Sequence, residues 1–336
     1  MRSNWVLYIV TLIIIVFLVE GIIDGVRNSQ IRERQYSVYL SNQPIDSNWV
    51  APSLFIDHET TGNERRMVMY GKDLIAHTSK YFGPLGSISR ATNGMNCQNC
   101  HLDAGTRPWG NNFGAVYSLY PQFRGRSNTI QTIYGRVNDC FHRSLNGKAI
   151  DDTSYEMQSL YAYIKWLGKN VPKGIKPVGA GLPILPIIDR AANVIKGKAV
   201  YFNLCKTCHG DNGQGSINQT GNEYIYPPLW GEHSYNDGAG LYRLSSFASY
   251  VENNMPYNIA SHQIPKLTIE DSWDVAAFVN SQPRPHIDQS KDWPDVSKKV
   301  FDAPFGPYPD SFSQQQHKYG PYTEIINNLK SKQLKK

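Results

Sequence analysis

Residues 97–101 read Cys97-Gln98-Asn99-Cys100-His101, and residues 205–209 repeat the pattern as Cys205-Lys206-Thr207-Cys208-His209. Both are C-x-x-C-H. Two thiols at that spacing can form thioether bonds to the two vinyl groups of one porphyrin, and the adjacent histidine then lies against the iron. A zinc site needs two more ligands at short spacing, and neither motif has a second cysteine pair nearby. The motifs therefore predict two covalently bound haem c groups, with His101 and His209 as iron ligands.

The chain around them is organised twice in the same order. An apolar-periodic segment near Lys72 to Phe82 precedes the first motif, and Ala191 to Phe202 runs helically into the second. Asn128 to Leu145 reads as a helix, with Ile130, Ile133, Val137, Cys140 and Ser144 on one stripe. Thr153 with Glu156 has the form of a capping box, and the helix it opens stops at Gly168. Val171 to Pro186 is rich in proline and glycine, which marks a linker. Thr268 to Asn280 closes the second unit as a helix carrying Trp273, Val275, Ala276 and Phe278. The expected fold is mainly α: two cytochrome c-like domains, each a small helical fold around a covalent haem. The expected boundaries are 31–170 for the first domain, 171–186 for the linker and 187–285 for the second domain. Residues 286–336 then form a surface strap that ends in a frayed Lys330–Lys336 tail.

Composition sets the outer limits. The net charge of +6 over 336 residues is too small to argue for nucleic acid and suits a small anionic substrate. Apolar residues at 40% and charged residues at 18% exclude a disordered chain and a coiled coil. Five cysteines are too few for a disulfide scaffold, and four of them belong to the haem motifs. Residues 1–30 open with Arg2 and a run from Trp5 to Val19 broken only by Thr11, the order of an export signal or an uncleaved N-terminal anchor. Arg27, Arg32 and Arg34 behind that run would by themselves hold the body in the cytoplasm. Covalent haem attachment, which occurs outside the cytoplasmic membrane in bacteria, points instead to the periplasm, soluble or tethered.

Each iron has a second axial position. Met255 is the only methionine after His209, and a thioether there suits an electron-transfer haem; His233 and His262 compete with it. In the first unit the comparable interval is occupied by the fifth cysteine, Cys140. Arg136 lies one turn before it, Ser144 one turn after, and Arg143 three residues on. Between Pro121 and Gly147 there are four arginines and one aspartate, Arg124 and Arg126 included. Such surroundings favour a thiolate, which is a strong donor to ferric iron and lowers its potential.

The segments Asn96 to Asp103, Arg136 to Gly147, Asn254-Met255-Pro256, Trp273 to Val279 and Asp302 to Tyr308 resemble the dihaem c-type thiosulfate dehydrogenases. The resemblance covers nearly the whole chain after about residue 50, and the stretch around Cys140 is its most specific part. Members of that family interconvert thiosulfate and tetrathionate, some favouring reduction. The resemblance implies that Cys140 ligates the active-site haem, that Arg126, Arg136 and Ser144 line the substrate pocket, and that Met255 ligates the second haem. It also implies electron exchange with an external c-type cytochrome or other redox partner. Some members place a lysine before the methionine; here Asn254 stands there, so plain His209/Met255 ligation is expected. Two other readings remain at this stage. A dihaem electron carrier would have ordinary ligands on both irons and no use for the arginines. A dihaem peroxidase would need an open iron position and a nearby acid.

Overall fold

The computed structural model describes Val19 and residues 49–333. The expected signal or anchor in residues 1–30 lies outside the described residues, Val19 excepted. Among the described residues no helix is long and apolar enough to cross a membrane.

The N-terminal half begins with helix α1 (Gly62–Ala76) and the short helix α2 (Thr78–Phe82), separated at His77. The C-x-x-C-H segment follows, with a single 3₁₀ turn at Cys97–Asn99. A hairpin of β1 (Gln122–Arg124) and β2 (Thr129–Gln131) leads into α3 (Ile133–Arg143), and α4 (Tyr155–Leu167) closes this half. The C-terminal half repeats the scheme. Helix α5 (Val194–Leu204) runs into the second motif at α6 (Lys206–His209), and a small hairpin of β3 (Ser216–Ile217) and β4 (Tyr224–Tyr226) follows. Helices α7 (Leu244–Asn254) and α8 (Ile269–Ser281) complete it.

In each half the first and last helices cross at a glycine. A Cβ on Gly71 of α1 would lie 2.0 Å from the Ser159 carbonyl oxygen of α4. A Cβ on Gly197 of α5 would lie 1.8 Å from the Asp274 carbonyl oxygen of α8. Only hydrogen fits at either point, so the backbones meet directly and their flanking side chains interdigitate. The repeat inferred from the two motifs is thus present in the packing as well. The core of the first half centres on Leu74, Phe141, Leu160 and Tyr163, and that of the second on Tyr201, Phe247, Trp273 and Phe278.

Three local expectations are corrected. The helix expected over Asn128 to Leu145 starts only at Ile133. Asn128 has φ 54°, the left-handed conformation that turns a hairpin, and Thr129–Gln131 pairs with Gln122–Arg124. Ile130 is 72% exposed and falls off the inward stripe, while the Thr132 hydroxyl accepts from the Gly135 N–H and starts the helix. The helix expected to begin at Thr153 is capped by Ser154, whose hydroxyl accepts from the Met157 N–H at 3.2 Å; Thr153 bonds to Asp151 instead. The apolar-periodic segment near Lys72 to Phe82 spans the end of α1 and the whole of α2. Finally, the tail is no mere strap. It carries helices α9 (Gln314–Tyr319) and α10 (Thr323–Gln333). Tyr322 and Ile325 are fully buried, and the Tyr322 ring packs 5.6 Å from Trp273. Residues 330–333 of the supposedly frayed end belong to α10; residues 334–336 lie outside the described residues.

Candidate active site and haem-binding cavities

Two cavities flank the C-x-x-C-H histidines. The first encloses about 500 Å³ and is lined by Cys100, His101, Arg126, Arg136, Cys140 and Ser144 among others. The second encloses about 390 Å³ and is lined by Cys205, Cys208, His209 and Met255. Both volumes fall in the range of roughly 300–1,000 Å³ usual for cofactor sites. The cavities share Cys100 and Leu241 as wall residues, so they adjoin. Tyr250 ties the halves together there by donating to the Asn99 carbonyl oxygen at 2.7 Å.

The donor set fits haem c. His101 Nδ1 donates to the Asn111 carbonyl oxygen at 2.5 Å, and His209 Nδ1 donates to the Pro227 carbonyl oxygen at 2.9 Å. In each ring the proton is thereby fixed on Nδ1, and Nε2 is left with its lone pair for a metal. Burial pushes the His101 imidazole down to about 4 and also lowers His209, so both rings are neutral, as ligation requires. All five cysteines are free of disulfides, which leaves four thiols for thioether bonds and Cys140 over.

Helix α3 aims Cys140. Arg136, Cys140 and the C-cap residue Ser144 follow at four-residue steps, and all three face the first cavity. The neighbouring Cys140 sulfur is the largest influence raising the Arg136 guanidinium, ahead of the opposing effect of burial. Arg126 enters from the turn between β1 and β2. Burial, with Arg143 and Arg136 close by, pushes its guanidinium down to about 10. Arg126, Arg136 and Ser144, expected to line the substrate pocket, and Cys140, expected as an iron ligand, thus all line one cavity together with His101.

In the second cavity Met255 is the C-cap of α7, and its neighbour Asn254 is buried and committed, donating to the carbonyl oxygens of Trp109 and Tyr250, both at 3.1 Å. The competitors do not line this cavity. His262 stacks on Trp109 at 4.3 Å and bonds to Asn253, and His233 lies outside the wall. Met95 of the N-terminal half does line it, a methionine that no motif marks.

The larger omission concerns the first cavity. Arg243 and Leu241 from the C-terminal half, and Asp292, Trp293, Lys298 and Val300 from the segment after Pro285, line it too. Six cationic side chains (Arg124, Arg126, Arg136, Arg143, Arg243 and Lys298) face two carboxylates, Asp139 and Asp292. The excess of arginine around Cys140 was the only sequence signal for this field.

The comparisons agree with this geometry. The family described as "SoxA/TsdA, cytochrome c domain" matches residues 87–172, and the family "Cytochrome c" matches residues 194–283. A thiosulfate dehydrogenase of Stutzerimonas stutzeri is 34% identical over 219 residues, which is 65% of this chain and 68% of that protein. A thiosulfate dehydrogenase of Allochromatium vinosum is 36% identical over 197 residues, 57% of this chain and 71% of that one. Among solved structures, the thiosulfate dehydrogenase TsdBA of Marichromatium purpuratum superposes with a TM-score of 0.65 at 31% identity. That match covers 74% of this chain and 53% of the other, so the present chain spans about half of that longer protein. With two cytochrome c domains, free thiols at both attachment motifs and curated relatives of this kind, the chain is a haem c-binding oxidoreductase that belongs to the thiosulfate dehydrogenase family.

Proposed function

We propose that the chain carries two haem c groups and interconverts thiosulfate and tetrathionate, exchanging electrons with an external c-type cytochrome or other redox partner. In the oxidative direction two S₂O₃²⁻ anions give one S₄O₆²⁻ and two electrons. One S–S bond forms between the two sulfane sulfurs, and no proton is consumed. The haems, when bound, supply two one-electron sites, one for each electron released. The observation that carries the reading is the convergence of Cys140, Arg126, Arg136 and Ser144 on one cavity beside His101.

The residues divide the work. Two unit charges about 5 Å apart repel by roughly 3 kcal/mol at an effective dielectric of about 20, and paired dianions repel more. Arg126 and Arg136 offset that repulsion, and their planar forks match sulfonate oxygens. Ser144 donates a hydrogen bond to the substrate. The Cys140 sulfur, together with His101, would hold the first iron, and it lines the wall at which the sulfane sulfur of the substrate would be placed. His209 and Met255 would hold the second iron, and the walls shared at Cys100 and Leu241 support electron passage between the two sites. The mouth of the second cavity carries exposed Ile225 and Ile259, an apolar rim suited to a redox partner. Covalent haem attachment favours a periplasmic location, either free or tethered through the N-terminal segment.

Replacing Cys140 by Gly tests the reading. Turnover of thiosulfate and tetrathionate is expected to vanish while both haems remain attached, and the compressed g-spread of a thiolate-ligated ferric haem is expected to disappear from the EPR spectrum. Near-normal turnover in that variant ends the mechanism.

A further inference from the structure

The segment after Pro285 delivers a carboxylate into a cavity otherwise dominated by cations. Asp292 has a side chain only 11% exposed, and its Oδ1 accepts from Arg143 Nη2 at 2.7 Å. Arg126 Nε stands 3.9 Å from Oδ2, beyond hydrogen-bond reach, and Oδ2 has no hydrogen-bond partner among the described residues. One aspartate thus lies between two guanidinium groups, bonded to one and unbonded to the other.

The C-terminal half holds the same pair from another side. The Gly238 carbonyl oxygen accepts from Arg126 Nη1 at 2.8 Å and from Arg143 Nη1 at 3.5 Å. A Cβ on Gly238 would lie 2.7 Å from Arg143 Nη1, so a side chain there would displace the guanidinium. The Trp293 N–H donates to the Arg126 carbonyl oxygen at 2.7 Å, which fixes the segment carrying Asp292 against the hairpin turn. The other carboxylates are engaged elsewhere. Asp139 accepts from Gln131 Nε2 at 2.6 Å, and Asp302 is paired with Arg243 at 2.6 Å.

We propose that Asp292 is a positioning residue that holds Arg126 and Arg143 side by side for an anionic substrate and weakens their grip enough for a dianionic product to leave. The identity of that anion rests on the thiosulfate reading above. The arrangement has two separable consequences. Without the carboxylate the arginine pair is free to splay, and the geometry that brings two anions together is lost. The cavity also gains one net positive charge, so any anion that enters is held more tightly. A role in folding alone predicts neither tighter anion binding nor a split between kcat and KM.

The test uses the haem-loaded full chain with Asp292→Asn and, as the charge-keeping control, Asp292→Glu. Two quantities are measured at fixed ionic strength: steady-state oxidation of thiosulfate with an artificial one-electron acceptor, and calorimetric titration with sulfate, an anion the enzyme does not turn over. In Asp292→Asn the sulfate affinity is expected to rise severalfold and kcat to fall about tenfold. In Asp292→Glu the sulfate affinity is expected to match the parent, with a smaller drop in kcat. An unchanged or weaker sulfate affinity in Asp292→Asn, or an unchanged kcat, overturns the proposal. If Asp292→Asn fails to load haem, Asp292→Glu decides: a changed sulfate affinity there overturns it, and a parental affinity with reduced kcat supports it. If no form oxidises thiosulfate, the substrate reading fails, and the sulfate titration alone judges Asp292.

Discussion

Replacing Arg136 by Gln removes the one guanidinium of α3 that stands a helical turn before Cys140. Side chains four apart on a helix have Cβ atoms about 6 Å apart. Arg143 and Arg243 are each neutralised by an aspartate at 2.7 and 2.6 Å, whereas among the described residues Arg136 has no ion-pair partner and faces the Cys140 sulfur. At about 6 Å and an effective dielectric of about 20, a unit charge pair is worth roughly 3 kcal/mol. At 1.4 kcal/mol per tenfold, that corresponds to a loss of about 100-fold in kcat/KM for thiosulfate. Gln keeps much of the volume and a hydrogen-bond donor, so the loss measures charge. The assay is steady-state thiosulfate oxidation with an artificial acceptor, normalised to covalent haem content and repeated at low and high salt. A partly buried charge inside a cavity is screened less than a surface one, so most of the ratio to the parent should persist across the salt range. Arg136→Lys should recover part of the rate but not all, because a point charge cannot engage two sulfonate oxygens as a fork does. A kcat/KM within threefold of the parent at full haem content would refute the reasoning.

Three further outcomes follow from the same structure. Met255→Leu should lower the potential of the second haem in a potentiometric titration, since a thioether ligand raises it; an unchanged potential would show that Met255 is only a wall residue. Asp57→Asn should cost about 2 kcal/mol in urea unfolding, because the buried Asp57 carboxylate accepts from Lys169 Nζ at 2.7 Å, Trp166 Nε1 at 2.5 Å and Thr60 Oγ1 at 2.8 Å. The Lys169 hydrogen bond first, then Trp166, holds the Asp57 carboxyl well below the usual range. Its folded value is depressed, so its contribution is full above the unfolded value of about 3.9 and fades as the pH falls below that; a difference between parent and variant that stays constant down to pH 3 contradicts this. Gly197→Ala should destabilise the second half by about 1–3 kcal/mol or more, since its Cβ would meet the Asp274 carbonyl oxygen at 1.8 Å, and a thermal midpoint equal to the parent's would show that the crossing can shift without cost.

The helices that were legible in advance are those whose signals are local. Helix α8 runs from the Thr268 cap, whose hydroxyl accepts from the Asp271 N–H, and carries the apolar residues read from the sequence. Helix α4 ends at Gly168 as its C-cap. Where a local signal conflicted with pairing, the pairing won. Ile130 fits the helical stripe of α3, yet it stands opposite Phe123 in a two-stranded hairpin because Asn128 takes the left-handed turn. Neither glycine at the helix crossings was recognisable, because nothing in a sequence says which backbone will approach a given Cα. The role of Met95 in the second cavity was hidden for the same reason.

The two C-x-x-C-H motifs by themselves pointed to haem c, and an odd cysteine among arginines pointed to the helix that lines the first cavity. The haem motifs are legible without a fold because thioether bonds and an adjacent ligand involve atoms that are neighbours along the chain. Only the tertiary structure decided how many cations surround Cys140 and which carboxylates moderate them. Arg126, Arg243 and Asp292 are far apart in sequence, and the electrostatic field in a cavity is a sum over whatever the packing brings to its walls.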